Sequence, residues 1–147
     1  MAFAEHEVLI RRDALSVYLF LVDATNLPSW RDGVRSVKLL HGSAGTRGAL
    51  YRQMVSGRSG LSIPADLELV EARPGAEVQF RVVSGPGRRS GGYYLSTESA
   101  GTRVRFALEA RPEGPFGFLN RMVQRSLEAD VAQLERLKGV MELQLAS

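Results

Sequence analysis

Two side chains have the chemistry to move protons. His6, Val8 and Ile10 are spaced two residues apart, which places them on the same face of a predicted strand. Because Val8 and Ile10 are apolar, we expect this face, including His6, to point inward. An imidazole in a mostly apolar cavity could act as a general acid or base near neutral pH. Glu71 continues the parity of Leu69 and could also face inward, where burial would raise the pKa of its carboxyl and favour proton donation.

Both residues also have a purely structural interpretation, which we favour. His6 could be hydrogen-bonded near a sheet edge or exposed close to the terminus, and Glu71 stands just before a Pro-Gly turn, where solvent normally reaches a side chain. His41 follows a predicted strand and is expected to be solvated. The catalytic residues are therefore unassigned, with His6 and Glu71 as the candidates.

Several aromatic side chains with polar tips could form part of a binding cavity. Trp30, Tyr51, Tyr93 and Tyr94 each combine an apolar ring with one hydrogen-bonding group, and Gln53 shares the strand face of Tyr51. For Trp30 we favour a packing role, in which the indole fixes the short helices against the sheet. The other rings are candidates for the cavity wall.

Basic residues are numerous but scattered. Three strand arginines, Arg52, Arg81 and Arg103, are expected to be solvated, although one inward-facing arginine could orient a ligand carboxylate. The net charge is +3 and the pI is near 9.7, yet basic residues come singly or in pairs and form no continuous basic face. Nucleic acid is therefore not an expected partner.

The sequence excludes several classes of site. It contains no cysteine, and His6 and His41 have no nearby residues that would complete a metal site. No phosphate-binding loop, dinucleotide fingerprint or nucleophile elbow occurs, so neither a metal nor a cofactor is expected. The longest apolar run, 17–22, is far shorter than the ~20 residues of a membrane span, and no secretory signal is visible. We expect no stable membrane insertion and a cytoplasmic location.

The elements that must position these residues follow a simple order. A strand over 3–12 leads to a helix over 14–22 capped by Asp13, and Asn26 is expected to cap a second, very short helix. Six strands with Gly-rich turns come next. The chain closes with a helix over 116–143 whose apolar stripe must pack on the sheet. This order predicts a single α+β domain over 1–147.

The order and several local runs together resemble the START-like superfamily. This group is also called SRPBCC, the polyketide cyclase/dehydrase and lipid-transfer family, or the birch-pollen-allergen helix-grip fold. The matching pieces are RDALSV at 12–17, Asp23 with Pro28 and Trp30, the strand at 34–40, GTRV at 101–104, and LERLK at 134–138 with Glu142. The resemblance implies a seven-stranded antiparallel sheet wrapped around a long C-terminal helix, with two short helices after the first strand. It also implies a deep pocket for hydrophobic or polycyclic ligands.

Three functions follow from the resemblance and the residues. We favour binding or transport of a small hydrophobic ligand, such as a lipid or polycyclic metabolite. The alternatives are a cyclase/dehydrase-like enzyme using His6 with a tyrosine or Glu71 as acid and base, and an interaction module, including a homodimer. The residues expected to line the cavity are His6, Val8, Trp30, Tyr51, Gln53, Leu67, Phe80, Tyr93, Phe106, Phe116, Val123 and Leu127. The segment 114–118 is interpreted as a helix start, or alternatively as a hinged lip at the mouth.

Overall fold

Seven antiparallel strands form one sheet in the computed structural model, which describes residues 2–57, 60–85, 88–111 and 117–146. The spatial order is β1-β7-β6-β5-β4-β3-β2. The bounds are β1 (Ala2–Ile10), β2 (Val34–His41), β3 (Leu50–Ser56), β4 (Ser62–Arg73), β5 (Glu77–Val82), β6 (Ser90–Glu98) and β7 (Gly101–Ala110). The predicted fold, a seven-stranded antiparallel sheet combined with a C-terminal helix, is confirmed.

Alternation within the strands decides which side chains face the helices. In β4, Leu67 and Leu69 are buried on the inner face, whereas Asp66 and Glu68 belong to the outer face. The three arginines expected to be solvated pair with carboxylates at partly exposed positions: Arg52 with Asp66, Arg81 with Glu68, and Arg103 with Glu98.

Two aspartates start the short helices after β1. Asp13 caps α1 (Ala14–Val22), because its Oδ2 accepts a hydrogen bond from the Ser16 N–H at 3.0 Å. Asp23 ends α1 and caps the 3₁₀ helix Ala24–Ser29, accepting from the Thr25 N–H at 3.1 Å. The prediction that Asn26 is this cap is wrong. The helix begins before Asn26, whose side-chain amide instead donates to the carbonyl of Phe20 at 3.0 Å.

The closing helix is interrupted at a single residue. It consists of α2 (Gly117–Ala132) and α3 (Leu134–Ala146), with Gln133 between them. The Gln133 carbonyl accepts from the Arg136 N–H at 2.8 Å, a hydrogen bond of the tighter 3₁₀ type. The buried stripe continues through the break and comprises Leu127, Val131, Leu134, Leu137 and Met141.

The closing helix packs on one end of the sheet. Its two segments contact β1, and α2 also contacts β7. The free edge of β1 is covered by helix side chains, because the Gln124 amide exchanges hydrogen bonds of 3.0 and 2.6 Å with the backbone of Phe3, and Lys138 Nζ donates to the Leu9 carbonyl at 2.7 Å. The helix is thereby held over β1 and β7, at the opposite end of the sheet from β2, β3 and β4.

Candidate ligand-binding cavity

A cavity of about 330 Å³ lies between the helical layer and the inner face of β3 to β7. Its wall is built from inner positions of β3 to β7, which are mostly aliphatic or aromatic. The wall residues include Gln53, Val55, Ala65, Leu67, Leu69, Val78, Phe80, Val82, Tyr93 and Leu108. Because strand alternation sends every second side chain to this face, the apolar pattern of the sequence directly produces an apolar wall.

The cavity reaches solvent beside the turn that enters β2. Asp32, Gly33 and Ser56 line it there and are exposed. Gly33 has a φ of 84°, a conformation that glycine adopts without steric cost. Its carbonyl accepts a hydrogen bond from the Ser56 N–H at 2.8 Å, which ties the turn to the end of β3 and fixes one side of the mouth.

Two arginines and one aspartate lie at the helix side of the cavity. Arg31 follows the 3₁₀ helix, Arg89 precedes β6, and Asp130 belongs to α2. Asp130 Oδ2 forms an ion pair with Arg89 NH1 and lies 3.7 Å from Arg31 NH2. Arg89 NH2 also donates to Ser126 Oγ at 2.6 Å. The side chains of Arg31, Arg89 and Asp130 are only 15%, 22% and 19% exposed, so this cluster is largely withdrawn from water.

Arg31 is held from several sides. Its Nε donates to Gln133 Oε1 at 3.1 Å, and the same oxygen accepts from the Asp32 N–H at 2.7 Å. The guanidinium carbon lies 5.7 Å from the ring centre of Trp30 and 5.5 Å from that of Phe106, within cation–π range. Burial lowers the pKa of Arg31, but a guanidinium stays charged in proteins. The charge is therefore fixed in place before any ligand arrives.

Tyr93 adds a neutral donor next to this charge. Burial raises the pKa of its hydroxyl to about 12, although the neighbouring Arg31 guanidinium acts in the opposite direction. The phenol is therefore protonated at neutral pH and can donate a hydrogen bond, but it cannot serve as a base. Its ring packs against Phe80 and Phe106, with centroids 5.6 and 4.7 Å apart.

Four of the residues expected to line a cavity do so: Gln53, Leu67, Phe80 and Tyr93. Six others lie in the packed core or against it and are absent from the described lining: Val8, Trp30, Tyr51, Phe106, Val123 and Leu127. These side chains fill space between the elements, which is why the cavity does not reach them. Phe116 and most of the segment 114–118 lie outside the described residues.

Three aromatic candidates have structural contacts. Trp30 is buried and meets Tyr93 and Phe106 edge-on at 6.0 and 5.9 Å, as a packing anchor should. The Tyr51 hydroxyl accepts a hydrogen bond from the Gly45 N–H at 2.9 Å and fixes the loop before β3. Tyr94 stacks with Arg105, whose guanidinium carbon is 4.5 Å from the ring centre, and is not part of the cavity.

His6 lies on the inner face of β1 but does not reach the cavity. Its Nε2 is 3.0 Å from Glu135 Oε1 on α3, and its side chain is 33% exposed. The strand order explains the outcome, because β1 is at the opposite end of the sheet from β3 and β4 and lies directly under the closing helix. The expectation that His6 would line the cavity is therefore wrong.

Glu71 is also turned away from the cavity, because β4 contains an irregularity that the sequence pattern did not predict. The register between β4 and β5 shifts between Leu69 and Glu71. After this bulge, Ala72 lies opposite the inward Val78, whereas Glu71 lies opposite Gln79 and leaves the parity of Leu69. Glu71 is therefore not a cavity residue, and the structure brings it together with neither His6 nor Tyr93.

The polar residues of the cluster were not predicted from the sequence. Ser126, Asp130 and Gln133 follow one another at spacings of four and three, so they form a polar row along α2 and the break that follows it. This row runs beside the buried stripe and not opposite to it. The spacing of these three polar residues beside the apolar stripe could have indicated a polar face next to the core. Arg31 and Arg89 lie in loops, where no periodic pattern indicates which way a side chain points.

The described residues contain neither a metal-binding cluster nor a membrane-spanning helix. In the part of the chain that the structure describes, histidine and acidic side chains form no group of three that could hold a metal ion. Over the same residues, each helix is too short or too polar to cross a bilayer.

Comparison with known proteins gives one family and many similar folds. The family model described as "Polyketide cyclase / dehydrase and lipid transport" matches residues 1–142. Among curated proteins, none matches this chain.

The similar solved structures cover the chain almost completely. A protein from Thermus thermophilus, TTHA0849, is 21% identical with a TM-score of 0.76, covering 99% of each chain. A START superfamily protein from Mycobacterium smegmatis is 14% identical with a TM-score of 0.75, covering 98% of this chain and 99% of that one. StfQ, a di-domain ARO/CYC protein from the steffimycin biosynthetic pathway, is 14% identical with a TM-score of 0.75 over 99% of this chain and 52% of its own. These likenesses show the fold.

Proposed function

The chain belongs to the polyketide cyclase/dehydrase and lipid transport family, and on that basis we propose that its cavity binds a small hydrophobic ligand. The observation that carries the proposal is the apolar hollow of about 330 Å³ with an open mouth. This volume is at the lower end of the roughly 300–1,000 Å³ typical of small-molecule sites. A compact lipid-like or aromatic metabolite fits that scale.

The apolar wall supplies the driving force. Leu67, Leu69, Val78 and Phe80 present aliphatic and aromatic surface that a ligand would cover. Each ~100 Å² of apolar ligand surface removed from water contributes about 2.5 kcal/mol before the costs of ordering and association. A ligand with little apolar surface gains nothing from this wall, which favours hydrophobic molecules over sugars or nucleotides.

Binding without turnover is the activity that the arrangement supports best. The cyclase/dehydrase-like alternative needs an acid and a base facing one substrate, and neither His6 nor Glu71 is among the described lining residues. Tyr93 remains protonated at neutral pH.

The cytoplasmic location and the homodimer stay predictions. Light scattering of the purified protein would test whether it forms a dimer.

A neutral fluorescent probe tests this proposal. N-phenyl-1-naphthylamine carries no charge, so its binding reports the apolar cavity alone. We expect saturable binding by the wild-type protein, and native mass spectrometry should detect a bound small molecule that organic extraction removes. Absence of saturable probe binding would contradict the proposal.

A pair of neighbouring substitutions locates the binding. Val55→Trp places a large ring in the cavity, whereas Met54→Trp adds the same ring on the opposite face of β3. We expect Val55→Trp to weaken probe binding at least about tenfold and Met54→Trp to leave it within about twofold of wild type. Equal effects of the two substitutions would show that the probe binds elsewhere.

A further inference from the structure

The helix side of the cavity has an excess of positive charge. Arg31 and Arg89 are both cationic and share the single carboxylate of Asp130. Asp32 also lines the cavity, but it is exposed at the mouth and lies 3.8 Å from Arg136. The inner cluster therefore carries a net charge of about +1 in a region of low exposure, where an unbalanced charge is costly.

The two arginines disfavour one another. Burial lowers the pKa of Arg89, and the nearby positive charge of Arg31 lowers it further. The carboxylate of Asp130 balances the two positive charges unequally. It forms a direct ion pair with Arg89, but its Oδ2 is 3.7 Å from Arg31 NH2, which is beyond hydrogen-bond distance. A second anion beside these arginines would remove the repulsion and complete the coordination of Arg31.

The donors on this side suit a carboxylate. A guanidinium presents paired N–H groups that match the two oxygens of a carboxylate, and the Arg31 fork is already oriented by Gln133 and the rings of Trp30 and Phe106. The protonated Tyr93 hydroxyl lines the same cavity and adds a neutral donor. Little ordering is needed when the ligand binds, which favours affinity.

The charge count also selects the valence of the ligand. One negative charge balances the excess, whereas a phosphate monoester dianion would leave a buried negative charge without a partner. The apolar wall selects a hydrophobic body for the rest of the molecule. We propose that the ligand of this cavity is a hydrophobic monocarboxylate whose carboxylate lies between Arg31 and Arg89. This inference rests on the proposed function and deepens it.

Matched pairs of acid and amide test the role of the charge. 2-Naphthoate is compared with 2-naphthamide, and decanoate with decanamide, by isothermal titration calorimetry at neutral pH and low salt. Within each pair the body is the same and only the charge differs. We expect at least one acid to bind the wild-type protein about tenfold or more tightly than its amide, as a charge-assisted hydrogen bond provides.

Two substitutions with opposite expected signs assign the effect. Arg89→Gln should reduce the preference for the acid to within about twofold, and Asp130→Asn should increase acid affinity because it removes the competing carboxylate. Arg81→Gln is the matched control, since Arg81 pairs with Glu68 at an exposed site and is not among the cavity residues. Circular dichroism confirms folding, and Asp130→Asn decides the matter if Arg89→Gln does not fold.

The outcomes separate this inference from the proposed function. Equal binding of acid and amide by the wild-type protein, with N-phenyl-1-naphthylamine also bound, overturns the inference and leaves the hydrophobic cavity standing. A preference for the acid that persists in Arg89→Gln, or a fall in acid affinity in folded Asp130→Asn, also overturns it. If neither the acids nor the neutral probe bind, both proposals fail.

Discussion

The inner face of the sheet has two unlike halves. Over β1 and β7 the closing helix buries Leu127, Leu134 and Leu137 completely, and its polar side chains bind the edge of β1. Over β3, β4 and β5 the same face is equally apolar, yet it borders a cavity of about 330 Å³. Apart from the bulge between Leu69 and Glu71, the strands of the two halves follow the same alternation, so alternation alone does not explain the difference.

The closing helix accounts for the contrast. Its apolar stripe packs on one half, and the row that borders the other half is polar, with Ser126 and Asp130 in direct contact with Arg89 on the helix side of the cavity. These polar side chains would lose their partners if they moved onto the apolar wall, and burying an unpaired polar group there is costly. We therefore attribute the hollow to the polar row and to the two arginines beside it.

The largest expected effect is a difference in stability loss between a substitution under the closing helix and one at the cavity wall. Leu134→Ala should lower the free energy of unfolding by about 3–5 kcal/mol, because Leu134 is fully buried and its loss leaves a new void. Leu67→Ala should cost only about 1–2 kcal/mol, because that side chain already borders empty space and has fewer partners to lose. Urea denaturation of both variants checks the difference. Equal costs would mean that the two halves are packed alike.

An alkaline titration examines the open half. The folded protein raises the pKa of Tyr93 to about 12 from an ordinary value of 10.0, so it favours the neutral phenol. The stability linked to Tyr93 is complete below about pH 10 and is lost as the pH rises through 12. Between pH 10 and pH 12, the free energy of unfolding should fall in both proteins. In Tyr93→Phe the fall should be smaller than in the wild type by on the order of 2 kcal/mol. An unchanged slope in the variant would argue against burial of the hydroxyl.

A smaller effect of opposite pH sign is expected in the packed half. Glu142 accepts hydrogen bonds from Lys138 Nζ at 2.8 Å and from the Arg11 N–H at 3.0 Å, and these lower the pKa of its carboxyl from 4.5. Its contribution is present above that pH and is lost as the pH falls through the folded value. Glu142→Gln should cost about 0.5–1 kcal/mol at pH 7 and progressively less in acid. A cost that does not vary with pH would contradict an ionic role.

The sequence predicted the fold well, since strand alternation and the helical stripe are local patterns. The apolar part of the cavity wall was partly predictable for the same reason: Leu67 and Phe80 continue inward parities. Parity failed for Glu71 because a bulge reversed it, and for His6 because parity gives the face of a strand but not its place in the sheet. Arg31 and Arg89 could not be predicted, since their positions depend on contacts between elements distant in sequence.

Methyl chemical shifts, recorded while a neutral ligand is added, test the central claim most directly. With N-phenyl-1-naphthylamine, the largest changes should occur at Leu67, Leu69 and Val78, which border the cavity, while Leu134 and Leu137 under the closing helix stay nearly unchanged. Changes centred on the closing-helix core or on the outer face of the sheet, or none at saturating probe, would contradict the account.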